Sequence, residues 1–182
     1  MKTFLLRILL LLSISNYCFS TNIREAINKH WVREETKWKI KATEETSSLR
    51  HGSNLSVKLI NLTSNTLQIE IPSGTLFTAR DSSKQNMLVT HELLVDLLPH
   101  QSVTNFCTGY CCEASDGAPS DEDIYTIHKP ASEKLISLSE FVNQKEFEGY
   151  GVQRAIWCIS NSKNLSDISA GDTAQLSQPL LI

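Results

Sequence analysis

Apolar and polar residues alternate along much of the chain, which is the pattern of a β-strand with one buried face. The alternation runs through residues 37–42 and returns at residues 55–59 and 67–71. The turn-rich segment between these last two runs predicts a hairpin. About six or seven short strands at this spacing predict an antiparallel, immunoglobulin-like β-sandwich. The remaining apolar segments are residues 75–79, 87–89, 93–97 and 103–106.

Helical spacing replaces the alternation at both ends of this region. Residues 21–33 carry apolar side chains every three or four positions, and Asn22 can cap the first turn. Pro130 opens a second helical pattern, and Gly149 separates it from a third that holds Cys158 beside its apolar stripe. The predicted fold class is therefore mainly β, of α+β type: a sandwich with a short N-terminal helix and two C-terminal helices.

The residues before position 21 have the composition of a signal peptide, predicted as residues 1–20. Lys2 and Arg7 give a positive start, residues 8–14 are almost wholly apolar, and small residues precede a cleavage site after Ser20. A lipid-modified Cys18 is the alternative, but lipoprotein processing favours a small residue where Tyr17 stands. The apolar run is too short to cross a bilayer, and no later segment comes closer. We therefore predict a secreted protein, extracellular or periplasmic, without a transmembrane segment.

The length of the chain predicts a single domain, and its charge indicates which partners are not expected. Residues 21–160 are predicted to form a single disulfide-stapled, β-rich domain, and residues 161–182 a loose C-terminal tail. The formal net charge of -3 becomes more negative once the leader is removed, and no basic cluster remains. Nucleic acid is therefore not an expected partner.

Four cysteines enter the predicted oxidising compartment: Cys107, Cys111, Cys112 and Cys158. An even number outside the cytosol predicts two disulfides. Because a bridge between adjacent cysteines would close a strained ring, we expect one local bridge within residues 107–112 and one long bridge to Cys158. Which of Cys111 and Cys112 makes the long bridge stays open. The alternative is a redox-active or soft-metal site formed by the vicinal pair with Cys107.

Other residues are candidates for modification or binding. Asn54, Asn61 and Asn164 begin N-glycosylation sequons. Trp157 points away from the apolar stripe of its helix and is a candidate ligand contact. The acidic loop at residues 113–123 offers carboxylates for calcium, but it lacks the alternating ligand pattern of an EF-hand.

The sequence predicts no catalytic residue, no metal site and no cofactor. The histidines lack metal-ligand spacing, and the segment from Ser160 to Lys163 matches S-x-x-K without the companion motifs of penicillin-recognising enzymes. The five histidines are His30, His51, His91, His100 and His128.

Residues 106–119 contain the vicinal Cys111-Cys112 pair, residues 152–158 contain a Gln-x-Ala-Ile-Trp-Cys helix, and residues 71–77 form a strand segment. These three segments resemble those of an uncharacterised family of secreted bacterial proteins. The resemblance spans about residues 38–160. It implies a β-rich domain followed by helices, and it carries no established activity.

These observations favour a non-catalytic exported domain that binds a protein, a glycan or another surface component. The β-rich framework and the missing catalytic signature support that hypothesis. A redox-active or soft-metal protein using the vicinal cysteines is the first alternative, and a hydrolase with an unrecognised site is the second.

Overall fold

The computed structural model describes residues 20–39, 53–121, 123–127 and 129–162. Apart from Ser20, the predicted signal peptide lies outside these residues, and so does the predicted tail from residue 163 onward. The described elements are β1 (Thr21–Asn22), α1 (Ile23–Asn28), β2 (Val32–Trp38), β3 (Ser53–Asn61), β4 (Leu67–Ile71), β5 (Leu76–Ala79), β6 (Met87–Val89), β7 (Leu93–Leu97), β8 (Ser102–Cys111), β9 (Ile124–Thr126), α2 (Glu133–Lys145) and α3 (Tyr150–Ser160).

Six strands close into a barrel in the order β2-β3-β8-β6-β5-β9. Every neighbouring pair in the barrel is antiparallel. The other three described strands form a small mixed sheet, β1-β4-β7, in which β1 runs parallel to β4. Closing a sheet on itself gives every strand a paired neighbour on both sides, along at least part of its length.

The immunoglobulin-like sandwich predicted from the sequence is wrong. Two packed sheets would each keep their edges, whereas β9 pairs with both β2 and β5 and so joins the ends of one sheet. β9 has only three residues and follows the acidic loop, so it carries no readable alternation. The predicted hairpin is also wrong, because β3 and β4 belong to different sheets. The α+β composition, with one helix before the main strands and two after them, is confirmed.

Alternate side chains of the strands fill the barrel interior. Leu55, Val57 and Leu59 on β3 are each at most 1% exposed, and Phe77 on β5 and Tyr125 on β9 are fully buried with them. The same apolar cluster continues into α1 and the β1-β4-β7 sheet. These elements therefore pack directly against the barrel core, and burial of this cluster provides the main driving force for the fold.

The first helix begins as predicted and ends earlier. Asn22 caps it, because Asn22 Oδ1 accepts a hydrogen bond from the backbone N–H of Arg24 at 2.9 Å. The helix ends at Asn28, and His30 follows with a positive φ of 56°. The helix is shorter than the predicted residues 21–33 because β2, with its alternating burial, begins at Val32.

Helices α2 and α3 pack on the outer face of the barrel and confirm the two predicted C-terminal helices. They bury a second apolar cluster that joins Leu88 and Tyr110 of the barrel to Leu135, Val142 and Ile156 of the helices. Among the described residues, no helix combines the length and the apolar character needed to cross a membrane.

The side-chain amide of Gln153 fixes α3 to the end of β8. Gln153 Oε1 accepts from the backbone N–H of Cys111 at 2.9 Å, and Gln153 Nε2 donates to the Cys111 carbonyl at 2.6 Å. The register of β3 with β8 starts at the pair Ser53 and Thr108, so the described part of β3 does not reach Cys111. The amide of Gln153, only 3% exposed, therefore stands where a neighbouring strand would pair.

Candidate functional site

A carboxyl group, that of Glu34, faces the inside of the barrel wall. The burial of β2 alternates, with Arg33, Glu35 and Lys37 exposed. Glu34 therefore lies on the inward side of the strand together with Thr36, which is 1% exposed. Carboxylates are rarely buried unless they are paired, so this position needs a physical explanation.

Beside Glu34 the barrel wall opens. β2 and β9 pair only at Thr36 with Tyr125 and at Lys37 with Ile124, so the ladder ends just before Glu34. A cavity of about 500 Å³ lies at this opening, and we name it the Glu34 cleft. Its apolar walls are Ile27, Val32, Leu62 and Ile127.

The carboxyl group of Glu34 lacks hydrogen-bond donors within the described part of the chain. Glu34 Oε1 is buried and makes no hydrogen bond, and the same is true of Thr36 Oγ1. Burial raises the pKa of Glu34 from 4.5 to about 7, while the nearby Thr36 hydroxyl lowers it and the negative charge of Glu35 raises it by smaller amounts. Glu34 therefore changes its protonation state near neutral pH.

Two arginines and a histidine line the Glu34 cleft. Arg24 and His30 come from α1 and the residues that follow it, and Arg33 comes from β2. Arg33 Nε lies 3.4 Å from Glu35 Oε1, and Lys58 Nζ lies 2.9 Å from Glu35 Oε2, so the Glu35 carboxylate pairs with both cations. Arg24 has no ion pair among the described residues, which leaves its charge available to a ligand.

A second, smaller cavity of about 260 Å³ adjoins the first. Arg24 and Ile127 line both cavities, so they form the boundary between them. Gly74, Ile136 and Glu140 lie along the smaller cavity. The surface beside α1 is therefore a two-part depression with a carboxylate residue in each part.

The geometry of the Glu34 cleft suits binding. A buried carboxyl with an unused oxygen can accept a hydrogen bond when ionised and donate one when neutral. Apolar walls with a few convergent polar groups and a perturbed pKa are the usual features of a ligand site. Sequence reasoning missed Glu34 because the predicted alternation starts at residue 37, whereas β2 starts at Val32. The signal in the sequence is the alternation of Val32, Glu34, Thr36 and Trp38, which places a charge on the inward face.

The strand separates the cysteines that the sequence analysis grouped together. Cys107 and Cys111 belong to the barrel-interior cluster, whereas Cys112 belongs to the cluster under the helices. β8 ends at Cys111, and the side chains of Cys111 and Cys112 therefore pack in different clusters on two sides of the barrel wall. Burial raises the pKa of the Cys107 thiol to about 12 and the pKa of the Cys112 thiol well above its ordinary value. Both sulfurs therefore stay protonated and weakly nucleophilic.

The predicted local disulfide does not form in this structure, because no two of the described cysteines are bonded to each other. Cys107 and Cys111 lie in the same extended strand, so their Cα atoms are roughly 13 Å apart. A disulfide spans at most about 7 Å between Cα atoms. Cys111 Sγ lies 3.8 Å from Met87 Sδ.

Cys158 lies on the far side of α3 and not beside its apolar stripe. It follows the fully buried Ile156 by two residues, which corresponds to a rotation of about 200° around the helix. The long disulfide to Cys158 is also not formed in the structure. Trp157 is half-buried, with its ring centroid 5.8 Å from the guanidinium of Arg154, and its Nε1 makes no hydrogen bond within the described residues. Its role as a ligand contact stays a prediction.

The candidate glycosylation site at Asn61 has a structural role. Asn61 is 1% exposed, and its Nδ2 donates to the carbonyls of Asn65 at 2.8 Å and Leu98 at 2.9 Å. A glycan on this nitrogen would disrupt these bonds. The side chain of Asn54 and the whole of Asn164 lie outside the described residues.

Carboxylates of the acidic loop hold the loop itself. Glu113 accepts from the backbone N–H of Asn86 at 2.6 Å, and Asp123 accepts from the backbone N–H of Ser120 at 2.8 Å. Lys84 Nζ lies 3.6 Å from Asp123 Oδ2. Among the described residues, which omit Glu122, no group of three or more histidine, cysteine or acidic side chains could hold a metal ion.

The serine of the S-x-x-K match is bonded to the backbone. The Ser160 hydroxyl donates to the carbonyls of Ile156 and Cys112, and Lys163 lies outside the described residues. Of the histidines, His30 borders the Glu34 cleft, and its Nδ1 is 3.1 Å from the Asn28 carbonyl. His91 Nδ1 is 3.1 Å from Thr90 Oγ1, His100 has a positive φ of 58°, and His51 and His128 are not described.

No family model, curated protein or solved structure matches this chain. Its similarity to secreted bacterial proteins therefore stays a prediction, and the function of the Glu34 cleft has to be argued from its own geometry.

Proposed function

We propose that this protein is an exported, non-catalytic binding domain and that the Glu34 cleft is its binding site. The observation that carries the proposal is the buried Glu34 Oε1, which has no hydrogen-bond partner in the described part of the chain and lies at a cavity of about 500 Å³. A buried acceptor without a partner costs roughly 1–3 kcal/mol, so a ligand that supplies a donor recovers that free energy on binding.

The walls of the Glu34 cleft support the same function. Ile27, Val32 and Ile127 offer apolar contact, and Leu62 is 46% exposed beside them. A ligand that covers this surface gains apolar burial together with the hydrogen bond to Glu34. Export is the part of the proposal that depends on the basic and apolar residues of the N-terminal segment.

The observed cysteine positions do not favour the redox alternative. Cys111 and Cys112 are on opposite sides of the barrel wall, and the thiols of Cys107 and Cys112 have raised pKa values. For the hydrolase alternative, the hydroxyl of Ser160 is engaged by two backbone carbonyls. Neither arrangement presents an activated nucleophile.

A matched pair of leucine variants tests the proposal. Leu62 lines the Glu34 cleft, whereas Leu94, 55% exposed on β7, does not. Defined peptides and glycans are screened by thermal shift and by a glycan array, and any hit is titrated against both variants. We expect saturable binding that is at least about tenfold weaker for Leu62→Asp and unchanged for Leu94→Asp. No saturable binding to folded protein, or equal losses in both variants, would refute the site.

A further inference from the structure

The Glu34 cleft carries charges of both signs beside apolar walls, and this combination specifies a ligand class. Glu34, apolar side chains and Arg24 line the same cavity, and Arg24 also lines the adjoining smaller cavity. A complementary ligand has the opposite charges and an apolar segment.

Resting on the function proposed above, we infer that the Glu34 cleft binds a molecule with an ammonium group and a carboxylate at opposite ends of an apolar segment. A free ω-amino acid and the C-terminal lysine of a peptide both have this chemistry. The ammonium donates to Glu34 Oε1, the methylene groups contact Ile27 and Ile127, and the carboxylate pairs with Arg24.

The ammonium end follows from the state of Glu34. Its buried Oε1 has no donor among the described residues, and an ammonium supplies three N–H groups together with a compensating charge. A neutral donor would fill the hydrogen bond but would leave the ionised carboxylate without a counter-charge in a place of low dielectric. The ammonium satisfies both requirements.

The carboxylate end follows from the positive residues that line the cleft. Arg33 already pairs with Glu35 at 3.4 Å, and the His30 ring nitrogen Nδ1 is 3.1 Å from a backbone carbonyl. Arg24 has no ion pair among the described residues, so a simple alkylammonium would be repelled by an unbalanced cation. A carboxylate on the same ligand removes that repulsion and adds a charge-assisted hydrogen bond.

Protonation of Glu34 couples this binding to pH. Glu34 accepts from an ammonium only when ionised, and burial raises its pKa to about 7 in the free protein. Affinity for the zwitterion is therefore expected to rise between pH 6 and pH 8.5, while binding to a variant without the carboxylate stays flat. This pH profile separates a charge pair at Glu34 from simple contact with the apolar walls.

The test uses four six-carbon probes with the purified protein at pH 8: 6-aminohexanoate, hexylamine, hexanoate and hexan-1-ol. Calorimetry or ligand-observed NMR is expected to rank 6-aminohexanoate at least about tenfold above the other three. Glu34→Gln should weaken 6-aminohexanoate and hexylamine at least about tenfold, and Arg24→Gln should weaken 6-aminohexanoate and hexanoate. Glu25→Gln, on the exposed face of α1, is the matched control and should change nothing.

Two peptide arms distinguish the sources. If the tripeptide Gly-Gly-Lys binds more tightly than 6-aminohexanoate, and C-terminal amidation weakens its binding, the ligand is a C-terminal lysine. If 6-aminohexanoate binds more tightly than the tripeptide, the ligand is a free ω-amino acid. Absence of 6-aminohexanoate binding, or affinities that do not depend on Glu34, would overturn the ligand class. If hexanoate or hexan-1-ol still bound in a Leu62-dependent way, the ligand class alone would fail and the binding site would stand.

Discussion

Glu34 gives the folded protein a dependence of stability on pH that follows from its burial. Its carboxyl has a pKa of about 7 in the folded chain, against 4.5 for an unperturbed glutamate. Between these two values the folded state holds a proton that the unfolded state has lost. The free energy of unfolding therefore decreases as pH rises from about 4.5 through about 7.

The size of the effect follows from the same two values. The difference corresponds to about 3 kcal/mol between acidic and alkaline conditions, because each tenfold change in proton affinity contributes about 1.4 kcal/mol. For a domain of this length that is a decrease of roughly 6–12 °C in melting temperature. Glu34→Gln keeps the shape of the side chain but cannot ionise, so the variant should match the natural protein at pH 4 and exceed its stability by about 3 kcal/mol at pH 8.5.

The assay is urea unfolding at several pH values from 4 to 8.5, with reductant present throughout. Glu35→Gln is the matched control, since Glu35 faces solvent one residue away and its pKa is lowered, chiefly by the hydrogen bond from Lys58. That variant should keep the decline of stability with pH. Parallel curves for the natural protein and Glu34→Gln would show that Glu34 titrates normally and would refute the reasoning.

Three further predictions concern the framework around the Glu34 cleft. Gly74→Ala should destabilise the protein by about 2 kcal/mol or more in urea unfolding, because φ is +85° and an added Cβ would lie 3.1 Å from Ile136 Cα. Asn61→Ala should cost about 2–3 kcal/mol in the same assay, because it removes buried donors from backbone carbonyls. In the reduced native protein, Cys107 and Cys112 should react slowly with iodoacetamide at pH 8, as followed by mass spectrometry, because burial keeps both thiols protonated.

Each of these predictions has a control in the same region. Ser73→Ala is the control for Gly74→Ala, and Ser64→Ala is the control for Asn61→Ala. Each control should change the free energy of unfolding by less than about 0.5 kcal/mol. If a control loses as much stability as the substitution it accompanies, the explanation given for that substitution is wrong. The half-buried Cys158 should be labelled before Cys107 and Cys112, and labelling of Cys112 first would show that α3 does not shield it.

The sequence predicted most elements of the fold but not how they close. The alternation around Leu55 and Leu67 marks strands β3 and β4, and Gly149 marks the break between the C-terminal helices. Alternation says which face of a strand is buried, but it does not say which strands pair. The three residues of β9 decide between a sandwich and a barrel, and so short a segment has no pattern of its own.

The candidate site could not be predicted from the sequence, because the start of strand β2 was not recognised. The helical spacing predicted for residues 21–33 ends immediately before Glu34, so the start of the strand is not visible from the helical pattern alone. The burial pattern of β2 shows that Glu34 shares the inward side with Thr36 while Arg33 and Glu35 face solvent. The cysteines gave the opposite error, because closeness in sequence suggested a cluster that an extended strand divides.

The amide of Gln153 has a further consequence for the solubility of the chain. The Gln153 amide bonds both backbone hydrogen-bonding groups of Cys111 at the end of β8. Detachment of α3 would remove these two hydrogen bonds, and exposed backbone groups at the end of a strand can pair with a strand of another molecule. Docking of α3 therefore protects the end of β8 from association between copies of the chain.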